Sequence, residues 1–244
     1  MRVALIADIH GNLPALEAAL AEIEAERVDE IVCLGDVAAF GPQPRAVLAR
    51  LRAMNGPVVM GNTDAWLLDP QPYPYRDEDT ARVYEVERWC ATQLEPADLD
   101  YVRTFRPTVA IPLGDGDTLL CYHGSPRSNM DSIFAATPDD ALAPMLAGHR
   151  ATVLAGGHTH TPMVRRYRAS LLVNPGSVGL PFTDTVRGEA RNPAWAEYAL
   201  LTRTPGRLDI ALRRVSYPVD AIIDAAFASG MPHVEWWTKD WNRA

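Results

Sequence analysis

The sequence predicts an α/β protein in which two β-sheets pack against each other with helices on the outside. Three β-α units follow one another in about the first sixty residues, a pattern typical of parallel strands with right-handed crossovers. The second half instead carries closely spaced β-rich segments, which favour antiparallel strands. No internal repeat or low-complexity linker interrupts the 244 residues, so we expect a single domain over residues 1–244.

The first β-α unit begins at residues 3–7, a continuous apolar run that predicts a strand buried on both faces. A helix is predicted directly after Asn12, because apolar residues then recur at helical spacing and Pro14 fits a first turn. A strand at residues 30–34, a helix at 46–54 and a short strand at 57–60 complete the three units. Parallel strands of this kind bring their carboxyl ends to one edge of a sheet.

Residues 65–105 are predicted to be a helical and proline-rich excursion from this pattern. Three prolines between residues 69 and 76 predict a loop, and helices are predicted at 78–94 and 96–105. The excursion either covers a substrate or is a plain surface feature, and the sequence does not decide between the two.

The remaining elements are predicted from apolar runs and from turns rich in glycine. They are strands at 109–113, 118–122 and 152–155, a helix at 139–148, β-rich segments at 163–168, 171–173, 196–202 and 208–215, and a closing helix at 221–228. The C-terminal tail that follows holds Trp236, Trp237 and Trp241, and aromatic residues so dense near a terminus usually dock onto the body or onto a partner subunit. A homo-oligomer formed through this tail is therefore one expectation.

Charge and cysteine content limit the function classes. The formal net charge is -8, which argues against an extended nucleic-acid surface, because such surfaces are basic. The three cysteines form no CxxC pair and favour a reducing compartment. No run of about 18 apolar residues occurs, and the apolar stretch at the start is too short for the core of a signal peptide. We expect a cytoplasmic protein that does not enter a membrane.

Side chains that can bind metal follow the predicted strands where each strand ends. They are Asp8, His10, Asp36, Asn62, His123, His158 and His160. Ligands bind at this edge of α/β sheets, and glycines beside nearly all of these residues permit the sharp turns that a site needs. In Asp8-Ile9-His10 and in His158-Thr159-His160, alternate residues of an extended chain would project to the same side.

This mixture of carboxylates and imidazoles predicts a pair of metal ions. Two ions about 3.5–4 Å apart are the recurring device for displacement at phosphorus, and one carboxylate must bridge them. Asp36, which follows directly on a glycine at a strand end, is the natural bridge. The ligand types suit Mn, Fe, Zn, Co or Ni, and we expect Mn. A water bound to such an ion has its pKa lowered towards about 7, which supplies hydroxide for attack.

Five short blocks resemble the signature of the calcineurin-like metallophosphoesterases. They are Asp-Ile-His-Gly-Asn at residues 8–12, Gly-Asp at 35–36, Gly-Asn at 61–62, His-Gly at 123–124 and Gly-His-Thr-His at 157–160. The segment Asn-Pro-Gly-Ser-Val-Gly at 174–179 is similar to one in the small bacterial and archaeal phosphodiesterases of that family. The resemblance implies a four-layer αββα sandwich and a hydrolase that acts on a small phosphate ester.

The resemblance also implies roles for single residues. One metal ion would be held by Asp8, His10, Asp36 and His160. The other would be held by Asp36, Asn62, His123 and His158, with Asp36 bridging. Asp36, Asn62 and His123 would take the most direct part in catalysis, and Asn12 would support the site.

The third block departs from the family pattern. Many members carry histidine after Gly-Asn, where it helps to protonate the leaving group, but this chain has Thr63. Loss of such a proton donor typically costs about 10²–10⁴-fold with a poor leaving group. We therefore expect better activity on activated aryl diesters than on alkyl esters.

Two other functions are weighed against a phosphodiesterase. One is a catalytically weak scaffold, as the retromer subunit of this fold illustrates, and the other is a Ser/Thr protein phosphatase. The complete ligand set disfavours the first, and the short chain and Thr63 disfavour the second. We interpret His149 and His233 as structural or solvent-facing, and Arg127 as a loop residue that could also reach a phosphate.

Overall fold

The computed structural model describes residues 1–146, 148–184 and 190–241. Its strands are β1 (Arg2–Ile6), β2 (Glu30–Cys33), β3 (Val109–Gly114), β4 (Asp117–Cys121), β5 (Val153–Ala155), β6 (Met163–Tyr167), β7 (Ser170–Asn174), β8 (Thr183–Asp184), β9 (Ala190–Arg191), β10 (Trp195–Thr204) and β11 (Arg207–Ser216). Its helices are α1 (Leu13–Ala25), α2 (Pro44–Met54), α3 (Asn62–Leu68), α4 (Glu78–Gln93), α5 (Pro96–Val102), α6 (Asp139–Leu146), α7 (Val219–Ser229) and α8 (Val234–Thr238).

Two mixed sheets carry most of these strands. The first has the order β11-β10-β1-β2, with β1 parallel to β2 and antiparallel to β10. The second has the order β3-β4-β5-β7-β6, with a parallel centre of β4, β5 and β7. The predicted α/β architecture is confirmed, because parallel β-α units and antiparallel hairpins share both sheets.

The apolar run of β1 is continuous because each face of the strand packs against a different core. Val3 and Leu5 lie in the core between the two sheets, with Leu119 and Val153 of the second sheet. The alternate residues of β1 face the core between the first sheet and the helices. A third core, which includes Leu142 of α6, covers the outer face of the second sheet. The layers are therefore helices, sheet, sheet and helix, which confirms the αββα sandwich.

Three predictions about secondary structure were wrong. Residues 57–60 do not form a regular strand: Val58 bridges to Cys33 and Val59 bridges to Arg106, so each residue pairs with a different segment. Helix α3 starts at Asn62, where only the end of a strand was expected, because the Asp64 carboxylate accepts the N–H of Gly61 and caps the helix. The helix predicted at 221–228 corresponds to the slightly longer α7. It is not the last helix, since α8 follows it.

The proline-rich residues 69–76 form the predicted loop, and α4 and α5 follow it. Of the tail, residues 242–244 lie outside the described residues. Among the helices that are described, none combines the length and the apolar character needed to cross a bilayer.

Candidate metal centre

Five of the predicted ligand residues have left-handed backbone conformations. The φ angles are 54° at Asp8, 46° at His10, 55° at Asp36, 69° at His158 and 53° at His160. The expectation that these stretches are extended was therefore wrong. Asp and His tolerate this region better than most residues, and the turns that result direct their side chains together beyond the strand ends.

Asp8, His10 and His160 form the first candidate group. One potential ligand atom from each lies within 4.8 Å of the other two. The Nε2 atoms of His10 and His160 are 3.2 Å apart, and His160 Nε2 lies 3.6 Å from Asp8 Oδ1. Asp8 is completely buried and the two histidines nearly so, so a charge held here is well shielded from water.

Asp36, His123 and His158 form the second candidate group, with Asn62 beside them. Asp36 Oδ2 lies 3.4 Å from His123 Nε2. The Asn62 side chain contacts His123 Nε2 at 2.9 Å and His158 Nδ1 at 2.8 Å. The structure thus brings all seven predicted side chains to one place, while their role as ligands stays a prediction.

Asp36 lies between the two groups. Besides its contact with His123, the same Oδ2 atom is 3.8 Å from His10 Nε2 in the first group. Its other oxygen accepts a hydrogen bond from the Thr63 N–H at 2.9 Å, which fixes the orientation of the carboxylate. This is the position that a bridging ligand requires.

The hydrogen bonds of the imidazoles test whether the groups fit cations. The Nδ1 atoms of His10, His123 and His160 contact backbone carbonyl oxygens at 2.8–3.0 Å, so each of these nitrogens donates a proton. In a neutral ring the Nε2 atom then carries a lone pair. The lone pairs of His10 and His160 face each other at 3.2 Å, while His123 Nε2 lies 3.4 Å from Asp36 Oδ2. Two lone pairs that face each other without a donor between them suit a cation.

The orientation of the Asn62 amide also bears on whether the second group fits a cation. With its nitrogen turned inward it donates to Asp36 Oδ2, His123 Nε2 and His158 Nδ1, which satisfies the group without a cation. With its oxygen inward it faces only acceptors, the orientation that suits a metal ion. With a metal ion bound we expect the oxygen-inward orientation, because the amide oxygen, and not the NH₂ group, offers a lone pair to a metal ion.

Burial and the charges of neighbouring groups shift the pKa values of the site residues in opposite directions. Burial lowers the pKa of His10, and burial and the charge of His10 lower the pKa of His160 to about 3. Burial opposes protonation of His123, but the charge of Asp36 outweighs it and raises the pKa of His123 to about 10. Burial likewise opposes ionisation of Asp36, yet His123 holds the pKa of Asp36 well below its usual range. Asp36 is therefore the permanent anion at the centre.

Residues around the centre hold its loops. The Asp64 carboxylate accepts the N–H groups of Asp36, Val37 and Gly61 at 2.8, 2.9 and 3.1 Å. A Cβ on Gly61 would clash with Asp36 Oδ1, so only glycine fits there. Asn12 is fully buried and donates to the Gly179 carbonyl, and its supporting role stays a prediction.

Sequence reasoning missed the groups that orient the ligands through the backbone. The carbonyls of Leu34, Ala39 and Leu180 fix the three imidazoles, and apolar residue types give no sign of this role. Ser177 was missed as well, although it lies in a recognised block. Its hydroxyl donates to the Asp8 carbonyl at 2.7 Å.

Other residues singled out in the sequence lie outside the centre or pack beside it. The Arg127 guanidinium makes two hydrogen bonds to Asp131, at 2.6 and 3.1 Å, so it is engaged within its own loop. His233 contacts Glu85 at 2.7 Å, and His149 is exposed. Trp237 and Trp241 are each 4% exposed, so the tail docks onto the body of its own chain.

Comparison with known proteins decides the family. The model of the calcineurin-like phosphoesterase superfamily domain matches residues 1–192, most of the chain. The chain belongs to this superfamily. The predicted resemblance is thereby confirmed, and the protein is a metal-dependent hydrolase of phosphoric esters with two groups of residues that could hold metal ions.

Three similar proteins each match about three quarters of the chain or more. The metallophosphoesterase of Sphaerobacter thermophilus is 26% identical with a TM-score of 0.74, over 98% of each chain. The hypothetical protein PH1004 of Pyrococcus horikoshii OT3 is 21% identical with a TM-score of 0.78, over 95% of this chain and 94% of that one, which shows the fold alone. The uncharacterized protein MJ0912 of Methanocaldococcus jannaschii is 26% identical over 196 residues, 73% of this chain and 76% of its own.

Proposed function

We propose that this chain is a phosphodiesterase that binds two divalent transition-metal ions, Mn first among them, and hydrolyses small phosphodiesters. The observation that carries the proposal is the convergence of the His10 and His123 imidazole nitrogens on one oxygen of the Asp36 carboxylate. The metallophosphoesterase from Sphaerobacter thermophilus, similar over its full length, supports it. The segment at residues 174–179, which holds the Asp8 carbonyl through Ser177, favours the small phosphodiesterase branch of the family.

Each group of ligands would hold one ion. Asp8, His10 and His160 would hold the first, His123, His158 and Asn62 the second, and Asp36 would bridge the two. Bound ions of this kind lower the pKa of a coordinated water towards about 7 and offset the charge on a phosphate. The protein orients them: backbone carbonyls fix the imidazole rings, and Thr63 N–H fixes the Asp36 carboxylate.

Thr63 limits the choice of leaving group. The residue is 8% exposed, and its hydroxyl has no hydrogen-bond partner among the described residues. A threonine cannot donate a proton near neutral pH as an imidazolium would, so the reaction favours esters whose leaving group departs without protonation. We expect bis-aryl phosphodiesters to be cleaved about 10²–10⁴-fold more efficiently than alkyl esters. Similar kcat/KM values for the two classes would contradict this.

The three cysteines are free and buried, which suits a reducing compartment, and we propose the cytoplasm on that basis. The substrate is then a small ester of that compartment rather than a nucleic acid, in keeping with the net charge of -8.

Metal analysis together with hydrolysis of bis-4-nitrophenyl phosphate tests the proposal. Wild-type protein reconstituted with Mn should hold two ions per chain, and Asp36→Ala and Asn62→Ala should each lose metal and activity. Asp209→Ala is the matched control, because Asp209 is a half-exposed strand residue whose carboxylate pairs with Arg207. If wild-type protein holds no metal after reconstitution, or if Asp36→Ala stays fully active, the proposal fails and a scaffold of the same fold becomes the better interpretation.

A further inference from the structure

Five aromatic rings form a continuous row along the side of the first metal group. In order they are Trp236, Phe40, His10, His160 and Phe182, and we call them the aromatic row. Successive ring centroids are separated by 6.3, 6.4, 5.0 and 5.1 Å. The two imidazoles in the middle belong to the predicted ligands, so Phe40 and Phe182 flank the centre.

Phe182 differs from the rest of the row in its exposure. Its side chain is 48% exposed, whereas Val178 and Leu180, just before it in the chain, are buried in the core beside the helices. The ring contributes little to packing, and it presents apolar surface to water next to a polar centre. Its position beside the predicted metal ligand His160 sets it apart from other exposed apolar residues, since aromatic side chains next to a few polar groups are what ligand sites are made of.

The backbone fixes the Phe182 ring relative to the metal ligand. The carbonyl oxygen of Leu180 accepts two hydrogen bonds, one from the Phe182 N–H and one from His160 Nδ1, both at 2.8 Å. The His160 ring and the Phe182 backbone are thus held by one atom. The two rings are inclined at 42° with their centroids 5.1 Å apart, and Phe182 stays 48% exposed.

We propose that the exposed face of Phe182 binds a planar aromatic group of the phosphate ester, either an aryl ring or a heteroaromatic base. The inference rests on the proposed function, because the phosphate would be held at the adjoining group of Asp8, His10 and His160. A substituent of that phosphate has to pass only one imidazole to reach Phe182. Aromatic rings stack in offset or edge-on geometry and contribute more to binding than their buried area alone.

This contact acts on binding, which separates it from the effect of Thr63 on the leaving group. An aromatic group that stays on the phosphate throughout the reaction gains from Phe182 as much as one that leaves. Substrates with an aromatic ring should therefore have a lower KM, independent of how easily their leaving group departs.

Two inhibitors of equal charge isolate the contact. Phenylphosphonate and methylphosphonate both offer a phosphonate to the metal centre, but only the first has a ring. On wild-type protein loaded with Mn, we expect phenylphosphonate to bind about five-fold more tightly by titration calorimetry, since an aromatic pair contributes about 0.5–1.5 kcal/mol beyond its buried area. Phe182→Ala should abolish that preference and leave the Kd of methylphosphonate and the metal content unchanged. Phe182→Tyr should keep the preference.

Phe227→Ala is the matched control, since Phe227 is 55% exposed on α7, outside the aromatic row. It should bind both phosphonates as wild-type protein does. If wild-type protein binds the two phosphonates equally, or if Phe182→Ala keeps the preference, the inference is wrong and the proposed function still stands. If wild-type protein binds neither, the proposed function fails and this inference fails with it. A change of native mass caused by Phe182→Ala would assign the ring to an interface and also overturn the inference.

Discussion

Asp64 holds together two of the loops that carry the predicted ligands, and its replacement by asparagine tests how far the centre depends on that support. The carboxylate is completely buried, and it accepts the N–H groups of Asp36 and Gly61 on one oxygen and that of Val37 on the other. Burial, and next the charge of Asp36, raise the pKa of Asp64 to about 7. Asn62 lies between the bonded Gly61 and Asp64 itself, so a shift of this carboxyl moves both Asp36 and Asn62.

The magnitude follows from the three bonds. The amide introduced by Asp64→Asn would keep two of them by turning its oxygen towards Asp36 and Gly61, which leaves the N–H of Val37 facing an NH₂ group. One unsatisfied buried donor costs about 1–3 kcal/mol. Residues that orient metal ligands typically change metal affinity roughly 10–100-fold when they are replaced. We expect Asp64→Asn to lower the free energy of unfolding by about 1–3 kcal/mol and to weaken Mn binding roughly 10–100-fold.

Urea unfolding of metal-free protein and calorimetric titration with Mn measure the two effects separately. Asp98→Asn is the matched control, because Asp98 is also a buried aspartate that caps a helix, accepting the Glu95 N–H at 3.0 Å and pairing with Arg45. The control should be destabilised but should bind Mn as wild-type protein does. If Asp64→Asn binds Mn with wild-type affinity, the carboxylate supports the fold alone and the reasoning is refuted.

Three further predictions concern other parts of the molecule. Gly61→Ala should abolish Mn binding in calorimetric titrations, because the new Cβ would clash with a carboxylate oxygen of Asp36, the predicted bridge. Gly230→Ala is the control: its Cβ would meet no described atom within 4 Å, so it should cost only about 1 kcal/mol of unfolding free energy. Trp237→Ala should lower the free energy of unfolding by about 3–5 kcal/mol in urea, since the indole is 4% exposed and donates to the Phe40 carbonyl; a loss below about 1 kcal/mol would contradict this. Burial raises the pKa of Glu87 to about 7, so the native state binds a proton that the unfolded state has already released, and stability should fall between about pH 4.5 and 7. Glu87→Gln mimics the protonated form and should become more stable than wild-type protein by up to about 3 kcal/mol at pH 8 and by nearly nothing at pH 4; parallel pH profiles would refute it.

The seven side chains at the centre could be predicted because two regularities coincide in the sequence. Buried strands are recognisable as short apolar runs, and the topology brings their carboxyl ends to one edge. A polar residue directly after such a run, as Asp8 after β1 and His123 after β4, is then placed by the fold without knowledge of any contact. The error at residues 57–60 did not displace Asn62, because the bridge from Val58 to Cys33 holds that segment beside β2 in place of a regular ladder.

Contacts between segments far apart in the chain leave no comparable pattern in the sequence. Helix α3 has only seven residues, and nothing in the sequence indicates the three backbone N–H groups that its capping residue Asp64 accepts. The docking of Trp237 depends on the backbone carbonyl of Phe40, nearly two hundred residues away. Any residue type could supply that carbonyl, so the tail could be predicted to dock but not where.

The left-handed backbone at the predicted ligands is supported by hydrogen bonds between neighbouring loops. Such a conformation costs roughly 1–2 kcal/mol at a residue with a Cβ atom, and five ligand residues adopt it. The hydrogen bonding of β1 to β2 continues past both strands: the N–H groups of Asp8 and His10 donate to the carbonyls of Gly35 and Asp36 at 2.9 and 3.1 Å. These bonds exist only if both loops take the turn together, and they offset the strain. Asp8, His10 and Asp36 are therefore positioned together by the backbone of two neighbouring loops.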